Sequence, residues 1–179
     1  MTRTLFFCCA ASFLAGCTSS NSLSSSSPAR VASATPQQNA ALIDQVKQLA
    51  GTWEILSDKG EVEGTSTFAV SSGGSVVREI MFVGAEQEMT NVYHMDGPTL
   101  VMTHYCAAGN QPRLRAAAGK PGTIEFKTDS VTNWTGGSKE YMGELTLTIR
   151  DKDHISQSWT SFAEGKRQPT MVMQLRRKG

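Results

Sequence analysis

From Gly51 to the C-terminus, the sequence alternates between short segments rich in Val, Thr, Ile, Phe, Tyr and Met and clusters of Gly, Asp, Asn and Pro. This alternation is typical of short strands joined by turns. No long connection or second helical pattern interrupts the segments, so sequential hairpins are the simplest topology, and closure into a barrel removes exposed sheet edges. The sequence therefore predicts an all-β protein, an up-and-down antiparallel β-barrel of about ten strands. The predicted strands are Thr52 to Ser57, Gly64 to Ser71, Ser75 to Val83, Glu88 to Met95, Thr99 to Cys106, Arg113 to Ala118, Thr123 to Thr128, Tyr141 to Arg150, His154 to Phe162 and Thr170 to Arg177.

One helix is predicted before the strands, over Pro36 to Ala50. The apolar residues Leu42, Val46 and Leu49 recur at helical spacing, and Gly51 supplies the stop signal. We expect this single short helix to run directly into the first strand.

The N-terminus has the pattern of a secretory leader. Arg3 supplies a positive charge, and Thr4 to Leu14 is mostly apolar but too short to span a bilayer, which takes about 20 apolar residues. The segment ends in Leu14-Ala15-Gly16-Cys17, which resembles the bacterial lipobox. That resemblance implies that residues 1–16 are a signal peptide and that Cys17 is lipidated. The alternative is a plain secretory leader with an incidental cysteine.

Residues 17–36 are predicted to form the lipidated cysteine and a flexible tether. Ser, Thr, Ala and Pro dominate this stretch, which lacks the large apolar residues of a packed core. Acyl chains on Cys17 would hold the protein on a membrane without spanning it. Lipoproteins that are retained at the proteobacterial inner membrane chiefly carry Asp directly after the lipidated cysteine, and this chain has Thr18 there. The resemblance therefore implies a location in the bacterial cell envelope, at the periplasmic face of the outer membrane. Residues 37–179 are the predicted barrel domain.

Charge and cysteine content limit the classes of partner. The chain has 17 Lys and Arg against 16 Asp and Glu, a formal net charge of +1. Proteins that bind nucleic acid usually carry a strongly basic face, so we expect no nucleic-acid partner. Cys8 and Cys9 leave with the predicted leader and Cys17 is lipidated, which leaves Cys106 without an intramolecular disulfide partner.

The stretch Leu49-Ala50-Gly51-Thr52-Trp53-Glu54 resembles the G-x-W entry to the first strand in the lipocalin and calycin superfamily. There the Trp plugs the closed end of the barrel and a basic residue near the last strand packs over it. The resemblance implies these roles for Trp53 and for Arg176 or Arg177. The stretches Tyr93 to Gly97 and Thr103 to Arg113 are similar to bacterial secreted proteins with lipocalin-like domains. Ten predicted strands, instead of the eight of standard lipocalins, are closer to fatty-acid-binding and nitrobindin-like barrels.

Hairpin pairing predicts which side chains share the inside of the barrel. We expect Ser75 to Val83 to pair with Glu88 to Met95 through a four-residue loop, and that strand to pair with Thr99 to Cys106 through a two-residue turn. One face then carries the larger apolar groups, and we assign it to the interior. Its members are Arg78, Ile80, Phe82, Met89, Asn91, Tyr93, Met95, Leu100, Met102, His104 and Cys106.

Mostly apolar walls with a few polar groups are the makeup of a small-molecule pocket. We predict that Arg78, Asn91, Tyr93, Met102 and His104 bind a small hydrophobic or amphipathic ligand. The two-donor fork of Arg78 is suited to a carboxylate head group. The alternative is a structural or interaction lipoprotein with a filled barrel, in which these polar groups satisfy one another.

Metal, cofactor and catalytic patterns are weaker. His94, His104, His154 and Cys106 show no strong ligand spacing, so we predict no metal site and no cofactor. A haem-binding, nitrobindin-like barrel needs one well-placed imidazole, from His104 or His154, and is a further alternative. Cys106 and His104 lie about 7 Å apart along the chain, too far for direct proton transfer. Hydrolase, metalloprotease and nucleotide-binding motifs do not occur in the sequence, so we predict a protein that is not an enzyme and has no catalytic residues.

Overall fold

The computed structural model describes residues 30–135 and 140–179. The predicted leader, Cys17 and most of the predicted tether lie outside the described residues. Residues Val31–Gly179 form a compact unit. Its described residues contain two short helices and eleven strands: α1 (Pro36–Ala41), α2 (Ile43–Lys47), β1 (Gly51–Leu56), β2 (Val62–Ser71), β3 (Val76–Met81), β4 (Met89–Asp96), β5 (Thr99–Tyr105), β6 (Gln111–Ala116), β7 (Thr123–Thr132), β8 (Tyr141–Ile149), β9 (His154–Ala163), β10 (Lys166–Arg167) and β11 (Met171–Arg177).

Ten of these strands close into an antiparallel barrel. Strands β1 to β9 pair in chain order, and β11 pairs with both β9 and β1. The short β10 pairs with the end of β9. Because each barrel strand has a neighbour on both sides, its backbone hydrogen-bonding groups are used within the sheet. The predicted all-β, up-and-down barrel of about ten strands is confirmed.

The predicted helix is in fact two helices that meet at Leu42. The Thr35 and Gln38 side chains form a capping box at the start of α1. Leu42 has φ −130° and ψ −89°, which is outside the helical region and interrupts the hydrogen-bond ladder. Leu42, Val46 and Leu49 all enter the core, with at most 2% of their surface exposed. Within the described residues, no helix has both the length and the apolar character needed to cross a membrane.

The helices close one end of the barrel, and Trp53 and Arg177 seal it. Trp53 is fully buried, and its Nε1–H donates to the Leu49 carbonyl oxygen at 2.8 Å. The Arg177 guanidinium lies 4.3 Å from the Trp53 ring centroid and donates to two carbonyl oxygens that follow α2, at 2.8 and 3.0 Å. The predicted packing of a basic residue over Trp53 is therefore confirmed for Arg177, whereas Arg176 pairs with Glu54. We call the end of the barrel that the helices, Trp53 and Arg177 cover the closed end. The opposite end, where β9 ends and β11 begins, is called the mouth.

The register of β3 differs from the predicted one by a single residue. Met81 pairs with Met89, whereas the prediction paired Val83 with Glu88. The regular strand ends at Met81 because Phe82 takes a left-handed conformation, with φ +55°. A one-residue shift exchanges the two faces of a strand. The prediction for β3 was therefore wrong, whereas the inward faces predicted for β4 and β5 are confirmed.

The exchange changes what β3 contributes to the lumen. Val77, Glu79 and Met81 face inward and are at most 2% exposed. Arg78 is exposed on the outer surface and Ile80 is half-buried. An acidic side chain therefore occupies the interior where the sequence predicted a basic one.

Candidate functional site

A buried carboxylate lies inside the barrel. Glu79 is fully buried. Its Oε1 accepts hydrogen bonds from Gln157 Nε2 at 2.6 Å and Ser66 Oγ at 3.2 Å. Its Oε2 accepts from Tyr93 Oη at 2.7 Å and Asn91 Nδ2 at 2.8 Å. Two donors on each oxygen suit the lone pairs of an ionised carboxylate. The buried residues of the described part include no Lys or Arg, so neutral hydrogen-bond donors stabilise this charge.

The hydrogen bonds around Glu79 cross the lumen. Strands β2, β1 and β11 separate β3 from β9 on the shorter way around the barrel, so the bond from Gln157 to Glu79 bridges the interior. Gln157 Oε1 in turn accepts from Trp159 Nε1 at 3.0 Å. The Trp159 ring lies 5.0 Å from the ring of His104, which comes from β5 on another wall. We call these linked side chains the polar network; its members are Ser66, Glu79, Asn91, Tyr93, His104, Gln157 and Trp159.

The imidazole of His104 is held in one tautomer. Because Asn91 Nδ2 donates to Glu79, Asn91 presents its Oδ1 to His104 Nδ1, at 2.7 Å. Nδ1 must therefore carry the proton, and Nε2 is a bare acceptor. This Nε2 is buried and has no hydrogen-bond partner. Burial lowers the pKa of His104 to about 4, so the ring is neutral at pH 7.

The two acidic groups of the network have different protonation behaviour. Burial raises the pKa of Glu79 above its ordinary value, while the four hydrogen-bond donors act in the opposite direction. Burial, the negative charge of Glu79 and the hydrogen bond to it together raise the pKa of Tyr93 well above its ordinary value. Tyr93 is therefore protonated at neutral pH and available as a donor to Glu79.

A cleft of about 350 Å³ opens at the mouth next to this network. Trp159, which is 2% exposed, lines the cleft and contacts His104 on the inner side. Further apolar lining comes from Met142, Ala163, Pro169 and Met171. Methionine side chains adapt to irregular shapes, so these walls suit a small apolar guest.

Polar groups complete the lining of the cleft. They belong to Glu140, Ser161 and Gln168. Ser161 Oγ donates to the Glu140 carboxylate, and Asn110 Nδ2 donates to the Glu140 carbonyl oxygen at 2.9 Å. Asn110 is 3% exposed, and its Oδ1 has no hydrogen-bond partner. The mouth thus combines flexible apolar walls with a few polar groups.

A second cleft, of about 410 Å³, lies at the closed end. It is bounded by residues 31–34, by Asn39, Ile43 and Lys47, and by the turn between β4 and β5. No member of the polar network lines it. Of these two clefts, the one at the mouth adjoins the buried polar groups and is the better candidate for a binding site.

Four of the five predicted ligand-binding residues face the interior. Asn91, Tyr93, Met102 and His104 are at most 1% exposed. Asn91, Tyr93 and His104 belong to the polar network, whereas Met102 packs in the apolar core. Arg78 is exposed on the outer surface, so its predicted inward position was wrong, because β3 turns its other face to the lumen.

Sequence reasoning missed four members of the network: Ser66, Glu79, Gln157 and Trp159. Glu79 lies two residues from each of the apolar Val77 and Met81, so all three share one face of β3. This spacing of two was the available signal that Glu79 faces inward. Gln157 and Trp159 share one face of β9 with the apolar Ile155 in the same way. No local signal links Gln157 to Glu79, because closure of the barrel brings them together across 78 residues of chain.

Metal and haem binding can be tested against this geometry. Within the described ranges, no group of three or more His, Cys, Asp and Glu side chains is placed to hold a metal ion. His94 is half-buried, His154 is exposed and Cys106 is a half-buried free thiol. His104 has the free Nε2 that an axial haem ligand needs. The Trp159 ring centroid lies 5.0 Å from that of the imidazole, so the indole packs against this ring.

No known protein-family profile matches the sequence, and no curated protein is significantly similar to it. The case for a function rests on the geometry of the lumen and the mouth.

Proposed function

We propose that this protein is a membrane-anchored lipoprotein whose β-barrel binds a small hydrophobic or amphipathic ligand in the cleft at its mouth. The difference between the two ends of the barrel carries the proposal. At the closed end, apolar side chains of the helical segment fill the lumen, Arg177 seals it over Trp53, and no member of the polar network lines the cleft there. The mouth has a cleft of about 350 Å³ with apolar walls and a few polar groups, which is the makeup of small-molecule sites.

Burial of the guest's apolar part supplies the driving force, at about 25 cal/mol for each Å² removed from water. Met171 is 50% exposed, so a guest in the cleft would also cover part of the protein's own apolar surface. Trp159 offers one wall of an aromatic ring, and Met142 adapts to the shape of the guest. Binding is reversible and involves no bond making or breaking, in keeping with a protein that is not an enzyme.

The membrane anchor rests on the sequence. The apolar leader and the lipobox-like Leu14-Ala15-Gly16-Cys17 support lipidation of Cys17. Thr18 supports the periplasmic face of the outer membrane as the location. The Gly51-Thr52-Trp53 motif with Arg177 packed on the ring supports a relationship to calycin-type barrels.

Binding is tested by titrating 1-octanol into the full chain carrying Cys17→Ala, which lacks the proposed acyl chains. We expect a saturable heat of binding and an octanol adduct in native mass spectrometry. Ala163→Trp should fill the cleft and weaken binding at least 10-fold, by about 1.4 kcal/mol. The matched control is Ala69→Trp, at an exposed position on β2, which should bind octanol like the parent. Equal binding by both variants would contradict the proposed location.

Anchoring is tested by cell fractionation of the full chain. Cys17→Ser should move the protein from the membrane fraction to the soluble periplasm. Cys106→Ser should leave it in the membrane fraction. A Cys17→Ser variant that stays with the membrane would contradict lipidation at this residue.

The second candidate function is an interaction lipoprotein with a filled barrel. The complete burial of Glu79, Asn91 and Gln157 in mutual hydrogen bonds favours it, because such groups stabilise a unique packed core. In that case the chain would show neither a heat of binding nor an adduct with octanol.

A further inference from the structure

We propose that the ligand at the mouth carries a neutral, hydrogen-bond-donating head group, such as a hydroxyl, which donates to His104 Nε2. This inference rests on the proposed function and specifies the class of ligand. It excludes the carboxylate head that an inward Arg78 would have received.

The first argument is the type of the unpartnered groups. Three buried side-chain atoms of the described residues lack a hydrogen-bond partner: His104 Nε2, Asn110 Oδ1 and Arg113 Nε. The Arg113 atom belongs to the outer surface, where it lies 3.6 Å from Asp129 Oδ2. The other two, His104 Nε2 next to the lumen and Asn110 Oδ1 next to the mouth, are both acceptors. Leaving a buried acceptor without a donor is unfavourable, and a guest that donates removes this cost.

The second argument is that the acceptor at His104 is fixed. Neither ring nitrogen can change its role easily, because Nδ1–H is bound to Asn91 Oδ1 at 2.7 Å. Asn91 cannot turn its amide around without losing the bond from its Nδ2 to Glu79 at 2.8 Å. The polar network therefore presents a lone pair at Nε2, and it rejects a guest that offers another acceptor there.

The third argument is the charge of the interior. Glu79 is a buried carboxylate, and the buried residues of the described ranges offer no Lys or Arg to balance a second anion. Among the described residues, the charged one that lines the cleft is Glu140, which is acidic as well. An anionic head would lose its hydration next to charges of the same sign, which is strongly unfavourable.

Trp159 connects the cleft to the acceptor. Its ring lines the cleft and also lies 5.0 Å from the imidazole ring of His104. Its Nε1–H donates to Gln157 Oε1 at 3.0 Å, and this hydrogen bond fixes one edge of the indole. His104 is 1% exposed and does not itself line the cleft, so a guest that packs its chain against Met142 and Met171 reaches Nε2 by displacing the edge of Trp159.

The test compares three probes of similar chain length by calorimetry at pH 7 with the full chain carrying Cys17→Ala. 1-Octanol can donate, methyl heptyl ether can only accept, and octanoate is an anion. We expect octanol to bind about 5-fold more tightly than the ether, the effect of one hydrogen bond. Octanoate should bind at least about 10-fold more weakly than octanol.

A variant identifies the acceptor. His104→Phe should bind octanol and the ether with affinities within about 2-fold of each other, because it keeps an aromatic ring at this position and removes the Nε2 acceptor. The control is His154→Phe, at an exposed position on the outer surface, which should keep the 5-fold preference. The comparison of probes on the parent chain decides the head-group class even if His104→Phe fails to fold.

The outcomes separate the two proposals. If octanol binds but the ether or octanoate binds equally well or better, the head-group inference is overturned and the proposed function stands. A preference for octanol that persists in folded His104→Phe would overturn the role of His104. If none of the three probes binds, the proposed function itself is contradicted.

Discussion

Removing the Tyr93 hydroxyl should destabilise the barrel by about 2 kcal/mol at pH 7. Tyr93 is fully buried, and its hydroxyl donates to Glu79 Oε2 at 2.7 Å. Tyr93→Phe keeps the ring in the core, so little cavity is created and the change isolates one hydrogen bond. Bonds to a charged partner contribute about 1.5–3 kcal/mol, compared with about 1 kcal/mol for neutral pairs.

The size of this effect should depend on pH in a defined direction. Burial raises the pKa of Glu79 above its ordinary value of 4.5, so the folded protein binds this proton more tightly than the unfolded chain. The contribution of Glu79 to the free energy of unfolding therefore decreases as the pH rises through the interval between the unfolded and folded pKa values. Tyr93→Phe removes a donor that favours the ionised form, so it raises the folded pKa further and widens that interval. The destabilisation by Tyr93→Phe should fall to about 1 kcal/mol at pH 4, where the carboxyl is protonated.

Urea unfolding followed by far-UV circular dichroism at pH 7 and pH 4 measures both effects. The matched control is Tyr105→Phe, on the neighbouring strand, where the side chain is 49% exposed and the change should stay within about 0.5 kcal/mol. A Tyr93→Phe effect below about 0.5 kcal/mol, or one that is larger at pH 4 than at pH 7, would refute the reasoning about Glu79.

Three further predictions concern other parts of the barrel. The pKa of His104 is lowered from 6.5 to about 4, so only the unfolded chain takes up a proton at this residue in that range. Relative to His104→Phe, the free energy of unfolding of the parent, measured with urea, should therefore fall by up to roughly 3 kcal/mol between pH 6.5 and pH 4. The same pH dependence in both proteins would refute this. Arg177→Lys should lower the free energy of unfolding by about 2 kcal/mol in the same assay, because it removes the guanidinium that lies over the indole. Arg176→Lys, on the surface, should lower it by less than about 0.5 kcal/mol. Equal effects would count against the seal at the closed end. Gly143→Ala would place a methyl group against the Phe162 ring and should cost about 2 kcal/mol, and the added change Phe162→Leu should recover most of it; no recovery would contradict this steric cause.

The closed end could be predicted from the sequence because its signals are local. Turn clusters define the hairpins, and the Gly51-Thr52-Trp53 motif marks the start of the first strand. The basic residue over the indole was expected only from the resemblance to calycin-type barrels, which left Arg176 and Arg177 as alternatives. The break between α1 and α2 was not predicted, because Leu42 fits a continuous helical pattern and only packing against the barrel end explains its turn into the core.

The lumen could be predicted only in part because strand register is sensitive to one residue. The left-handed conformation of Phe82 ends β3 early, and this single change moves Arg78 outward and Glu79 inward. The polar network also depends on closure of the barrel, which brings Gln157 and Trp159 of β9 against residues that precede them by more than fifty positions. Such contacts have no counterpart in local sequence patterns.

The most direct test of the central claim is the effect of 1-octanol on the tryptophan indole N–H signals in the nitrogen-15 NMR spectrum of the full chain carrying Cys17→Ala. The chain has three tryptophans, of which Trp159 lines the mouth cleft and Trp53 lies at the closed end. If the ligand binds at the mouth, the Trp159 signal shifts with saturation while the Trp53 signal stays in place. A shift of Trp53 with Trp159 unmoved, or no shift of either signal, would contradict ligand binding at the mouth of this barrel.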